Sequence, residues 1–301
     1  MITFIEKKHS SFLYRIVSFF VCFSFTVALI APPTPTFAQV TPQAVLNLPL
    51  PGSMLSTSAS FTPLYVKGIT IHPDNPLKFS FIVNSGDTNL EGEALKAEST
   101  KLIKYFLASL TVPEEELWVN LSPYEKDGII PEGFGYTEMG RDLLAQDYLL
   151  KQLTASLMYP EDKLGNEFWT RVQKKLQERY GTSDIPVNTF NKIWIVPAKA
   201  EVYEINDSAY VVDSRLKVLL EEDYFALKND LEASKLEEGQ FNEEDLKSVS
   251  SVSSEMVREV LLPEIEKEVN EGKNFANLRQ IYNTSILATW YKLNLKDSVL
   301  G

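Results

Sequence analysis

The chain has 301 residues, 44% of them hydrophobic and 23% charged, with a formal net charge of −12. That apolar content excludes general disorder, and the acidic balance excludes electrostatic attachment to nucleic acid or to anionic lipid headgroups. One cysteine and two histidines exclude a three-histidine or cysteine-rich zinc site.

The first 38 residues read as a secretory signal peptide. Lys7, Lys8 and Arg15 make a cationic start, with Glu6 as the one acid. Ile16 to Ala31 is an uncharged apolar run, ended by Pro32, Pro33 and Pro35. Thr36-Phe37-Ala38 then offers small residues at the positions a signal peptidase reads. Cleavage after Ala38 leaves Gln39 as the new N-terminus. The alternatives are an uncleaved anchor or a buried helix. A spanning helix needs about 20 apolar residues, and this run has 16. Lipoprotein processing at Cys22 would want small residues before it, where Phe19-Phe20-Val21 stand. Cleavage removes the only cysteine, one histidine, three bases and one acid. The mature chain then stands at −14, with His72 as its one histidine. The expected product is periplasmic or extracellular, with no membrane contact once the signal is gone.

Residues 39–63 are rich in Pro, Ser and Thr and read as an extended lead-in across the domain surface. Leu64 to Ile71 and Leu77 to Val83 read as paired strands, joined by turn chemistry in His72-Pro73-Asp74-Asn75-Pro76. From Glu91 the period becomes helical, with Leu95, Leu102, Ile103, Phe106, Leu107 and Leu110 on one face. Leu117 to Leu121 reads as a short strand and Pro123 to Gly135 as a loop. A second helix starts after Thr137, an N-cap residue. A third runs from Glu161 to Tyr180, with Gly181 at its stop. Lys192 to Val196, Ala200 to Tyr203 and Tyr210 to Asp213 read as strands. Arg215 to Tyr224 either continues the sheet or begins a helix. Residues 228–254, acidic and serine-rich, read as a mobile surface loop. Two helices close the chain, Glu255 to Asn270 with a bend at Pro263, and Phe275 to Leu295. The expected fold class is α+β: an antiparallel or mixed sheet packed against several helices, with a helical C-terminus, in one globular domain over 64–301.

Several stretches are familiar as a set: Pro49 to Pro63, Gly92 to Ser109, Leu117 to Asp127, Met139 to Tyr148, Ile185 to Lys192 and Lys267 to Phe275. Together they resemble a family of uncharacterised exported bacterial proteins, over most of residues 45–300. The resemblance implies export and brings no activity and no catalytic residue. It also implies a chain that often continues past the position of Gly301.

Candidate chemistry rests on few residues. His72 is the one histidine available as a general base, and a rigid turn holds it. Glu125 and Asp127 share a loop, and a carboxylate pair can hydrolyse a glycoside. Asp142 and Asp147, five apart on one helix, point to different faces. Arg141, after Gly140 in a first helical turn, suits a carboxylate or phosphate together with free N–H groups. Against it stands a local ion pair with Asp142 or a capping arrangement. Asn84 to Asn89 is oxygen-rich but lacks the alternate acids of a calcium loop. Glu221-Glu222-Asp223 reads as a solvated edge or a helix start. Asn120, Asn206 and Asn283 fit the glycosylation sequon, a frequent chance pattern. No nucleotide loop, nucleophile elbow or zinc-protease motif occurs, so no cofactor and no metal is expected. Two functions fit. The favoured one is a non-enzymatic, envelope-associated binding module whose partner is a protein or an envelope polymer. The rival is a carboxylate-dependent hydrolase of an extracytoplasmic polymer.

Overall fold

A computed structural model describes residues 48–72, 74–112, 134–181, 192–224, 226 and 250–300. Leu48–Gly301 forms one compact unit. Its strands are β1 (Tyr65–His72), β2 (Asn75–Asn84), β3 (Ile193–Ile205) and β4 (Ser208–Leu220). Its helices are α1 (Gly92–Thr111), α2 (Glu138–Leu157), α3 (Lys163–Tyr180), α4 (Ser250–Met256), α5 (Leu262–Glu271) and α6 (Ala276–Leu300). The fold is α+β, as the alternating and helical periods predict. The signal segment, Ala38 and Gln39, the strand expected at 117–121, and most of the acidic loop lie outside the described residues.

The sheet order is β2-β1-β4-β3, with every pair antiparallel. Register follows the apolar pattern. Ile69 lies opposite Phe81 and Ala209, and Ile71 opposite Phe79, so one face carries the core. Phe79 and Phe81 meet Phe106 of α1 at 5.2 and 5.0 Å between centroids, and Tyr291 of α6 joins them at 5.8 Å from Phe106. These are tilted and edge-on contacts of the kind aromatic quadrupoles favour.

α6 is the central element, packed between the sheet and helices α1 and α2. Ile281, Leu287, Trp290 and Tyr291 are buried along it, and so are Gln280, Thr284 and Ser285. A helix enclosed on most sides buries its polar residues too, and all but Gln280 Oε1 of their side-chain polar atoms find partners. Thr284 Oγ1 donates to Gln280 O at 2.6 Å, and the Ser285 hydroxyl lies 2.9 Å from that of Ser109.

Local signals set several boundaries. Thr137 caps α2, its hydroxyl accepting from Gly140 N at 3.0 Å. Gly181 ends α3 in the left-handed region, at φ 66°. Other boundaries differ from expectation. β3 runs unbroken through Pro197, because that strand is at the sheet edge and Pro197 needs no ladder donor there. β4 extends to Leu220, resolving 215–220 as strand. Helix begins at Ser250, inside the segment expected as loop, because Val252 and Met256 are fully buried there. Pro263 sits in the first turn of α5, directly after a π turn at Val257–Leu261. Proline has no N–H to return to the preceding turn, and the ladder widens there.

Residues 48–64 form an extended strap over α2, α5 and α6. Tyr148 Oη donates to Pro49 O at 2.8 Å, and Ser156 Oγ accepts from Leu55 N at 2.8 Å. Glu268, only 2% exposed, accepts from Ser58 N at 2.7 Å and Ser58 Oγ at 2.6 Å. Phe61 N donates to Glu271 O at 2.8 Å, and Gln280 Nε2 to Leu64 O at 2.6 Å.

Candidate functional site

Two clefts lie along the strap. The larger, about 340 Å³, is lined by strap residues Ser60 to Pro63, by Val211 to Ser214 of β4, and by Arg279, Tyr282 and Asn283 of α6. The smaller, about 280 Å³, lies between Thr57 to Ser60 and the α5 residues Glu264, Lys267 and Glu268. Ser60 and Glu271 line both. The larger volume falls within the roughly 300–1,000 Å³ of ligand clefts.

Arg279 is the chemical feature of the larger cleft. Its Nη1 donates to Val269 O at 2.8 Å and its Nη2 to Phe61 O at 2.7 Å. It thus joins the end of α5 to the strap through carbonyls alone. No carboxylate of the described residues pairs with it. Burial pulls its pKa down to about 10, while Glu268 and Glu271 act the other way. It stays a cation at neutral pH, with guanidinium N–H donors to spare. Tyr282 beside it is pushed up to about 12 by burial, and its hydroxyl donates to Lys199 O at 2.8 Å. Asp213, also in the lining, is exposed and bonded to Lys199 Nζ at 2.9 Å, which holds its carboxyl below the usual range.

The residues singled out from the sequence are scattered. Glu125 and Asp127 lie outside the described residues. His72 Nε2 is 3.1 Å from Ser80 Oγ at the end of the first hairpin, and His72 lines neither cleft. Asp142 is buried and accepts a hydrogen bond from Tyr105 Oη. Burial raises the Asp142 pKa, against the hydrogen bond from Tyr105 and the charge of Lys101. Arg141 beside it is exposed. The local ion pair weighed for these two is replaced by the Tyr105 contact. Asp147, also raised by burial, bonds Lys151 Nζ at 2.5 Å. The two aspartates have separate partners, as five-residue spacing implies. Neither lines either cleft.

The oxygen-rich loop is a turn pinned to the strap. Asn84 Oδ1 accepts from Gly86 N at 2.9 Å, and Asp87 Oδ2 from Thr62 N at 2.7 Å. Gly86 has φ 55°, and a Cβ there would lie 2.3 Å from Thr62 O. The acidic trio is no free edge. Arg258 binds Asp223 with two nitrogens, at 2.9 and 2.8 Å, and also reaches Glu222. Asn283 is a cleft residue that accepts from Ser214 Oγ at 2.7 Å, and that contact explains it better than a sequon does.

Sequence reading missed Arg279 and Asn270. Arg279 stands directly after Leu278 among the apolar positions of its helix, and nothing local marks Asn270. Among the described residues no group of three or more His, Cys, Asp or Glu is placed to hold a metal ion, and no helix is long and apolar enough to cross a membrane. Comparison with family models, with characterised proteins and with solved structures finds no match.

Proposed function

We propose that this chain is an exported, non-enzymatic binding module of the cell envelope, and that it binds its ligand in the larger cleft between strap and β4. The observation that carries this reading is Arg279: a half-buried cation without an acidic partner among the described residues, lining a cleft of ligand size. The apolar run at Ile16 to Ala31 with its small-residue site supports export. A hydrolase reading needs two carboxyls converging on one cleft, one of them held high as an acid. Asp142 and Asp147, the two carboxyls that burial raises, face other elements.

The test uses the scarcity of cysteine. A Cys22→Ser, Val212→Cys chain carries one thiol, at a position 65% exposed in the cleft wall, and takes an environment-sensitive dye. Envelope glycan fragments and peptide pools are titrated against it. A saturable dye response, absent from a Tyr136→Cys control labelled at another site, supports the reading. No response to either class overturns it.

A further inference from the structure

The larger cleft exists because the sheet opens. β4 is 13 residues long, yet β1 pairs with it only from Ser208 to Tyr210. Beyond that point a bulge intervenes, since Val202 lies opposite Val211 and Glu201 opposite Asp213, leaving Val212 as the extra residue. Bulges bend a strand and end its pairing. Further on, side chains replace the missing strand. Asn270 bonds both the N–H and the C=O of Leu216, at 3.0 and 2.8 Å, and Glu266 accepts the Val218 N–H at 3.1 Å. Between these ends, Val211 to Arg215 meets no strand and no capping side chain on that edge among the described residues. This open stretch is one wall of the cleft.

On the opposite wall, Phe61 and Thr62 have their backbone groups engaged. Phe61 has its N–H on Glu271 O and its C=O on Arg279, and Thr62 exchanges bonds with Asp87 through both its N–H and its C=O. An occupant finds open backbone on β4, and at Arg279 a cation that no carboxylate of the described residues pairs. Open N–H and C=O groups on a strand edge match a polypeptide main chain, which adds to such an edge as a further strand. Free guanidinium donors match a carboxylate. Asp213 is committed to Lys199, and Glu271 is exposed.

We propose that the cleft takes the C-terminal segment of a polypeptide, laid as an added strand along Val211 to Arg215 with its terminal carboxylate on Arg279. The proposal rests on the binding-module reading and narrows it to one ligand class.

The experiment pans random decapeptides, displayed with free C-termini, against the full-length chain. The best binder is resynthesised as acid and as amide and titrated by fluorescence anisotropy. The acid should bind about tenfold more tightly than the amide, a difference of about 1.4 kcal/mol. N-methylating the peptide bonds that face β4 should weaken binding by about the same factor. Arg279→Gln should remove most of the acid–amide contrast. If that variant fails to fold, the contrast on the unmodified chain decides alone. An equal affinity of acid and amide, or the absence of any enriched peptide, overturns the proposal. A glycan response of the Val212→Cys dye without any peptide binding would sink this inference and leave the binding module standing. Silence to both would sink both.

Discussion

Asn270 treats Leu216 as a neighbouring strand would, giving it an acceptor at 3.0 Å and a donor at 2.8 Å. Its side chain carries out the backbone pairing that β1 stops supplying after Tyr210. Asn270→Ala strips both partners from a strand edge and should cost about 1–3 kcal/mol. Asn270→Asp keeps the acceptor and should lose less. Urea denaturation measures both, and an unchanged midpoint for the alanine variant would show that Asn270 does not secure this edge.

Gly272 presses against a buried acid. A Cβ at that position would lie 2.1 to 2.3 Å from the Glu268 carboxyl atoms, the same group that holds Ser58. The backbone there is ordinary extended chain, at φ −75°, so the constraint is space alone. Gly272→Ala should destabilise by about 1–3 kcal/mol. In a double-mutant cycle with Ser58→Ala the losses should not add, because both act through Glu268. Full additivity would separate the glycine from the strap.

Asp142 predicts a direction with pH. Its folded pKa is raised, chiefly by burial, from the ordinary value of 3.8. Just above pH 3.8 the native state therefore keeps a proton that the unfolded chain has released. Native binding exceeds unfolded binding, so this group's contribution falls as pH rises through the raised value, and its cost is complete above it. Asp142→Asn keeps an acceptor for Tyr105 and removes the titration. The stability of the variant relative to the parent should rise with pH between about 4 and 7. Denaturation midpoints across that range check this, and a difference that shrinks with pH would reverse the assignment.

Export makes a simple prediction. N-terminal sequencing of material recovered outside the cytoplasm should begin at Gln39. A chain that begins at Met1 would identify Ile16 to Ala31 as an anchor.

The sequence shows what is local. Thr137 and Gly181 mark helix ends by their own chemistry, and the apolar alternation of 64–83 defines a hairpin without reference to anything distant. The cleft is not local. Asn270 and Leu216 stand 54 positions apart, and no period or spacing links them. The π turn arises from Pro263 acting on a helix that the serine-rich 250–254 stretch would hardly form alone. Burial of Val252 and Met256 overrides that weak propensity. The buried polar residues of α6 mislead in the same way, since Gln280, Thr284 and Ser285 suggest a wet face that the fold encloses.

The strap has a consequence for the order in which this chain comes together. Ser58 and Glu268 are 210 positions apart, and Phe61 and Arg279 are 218 apart. A ribosome delivers the strap early and its anchors almost last. Until α5 and α6 emerge, Ser58 and Phe61 have none of the partners that fix them, and the long loop they must close slows docking further. The stretch from Ser58 to Phe61 is then the last part of the strap to lock, and a chain halted before Glu268 leaves it loose however well Pro49 and Leu55 are held on α2.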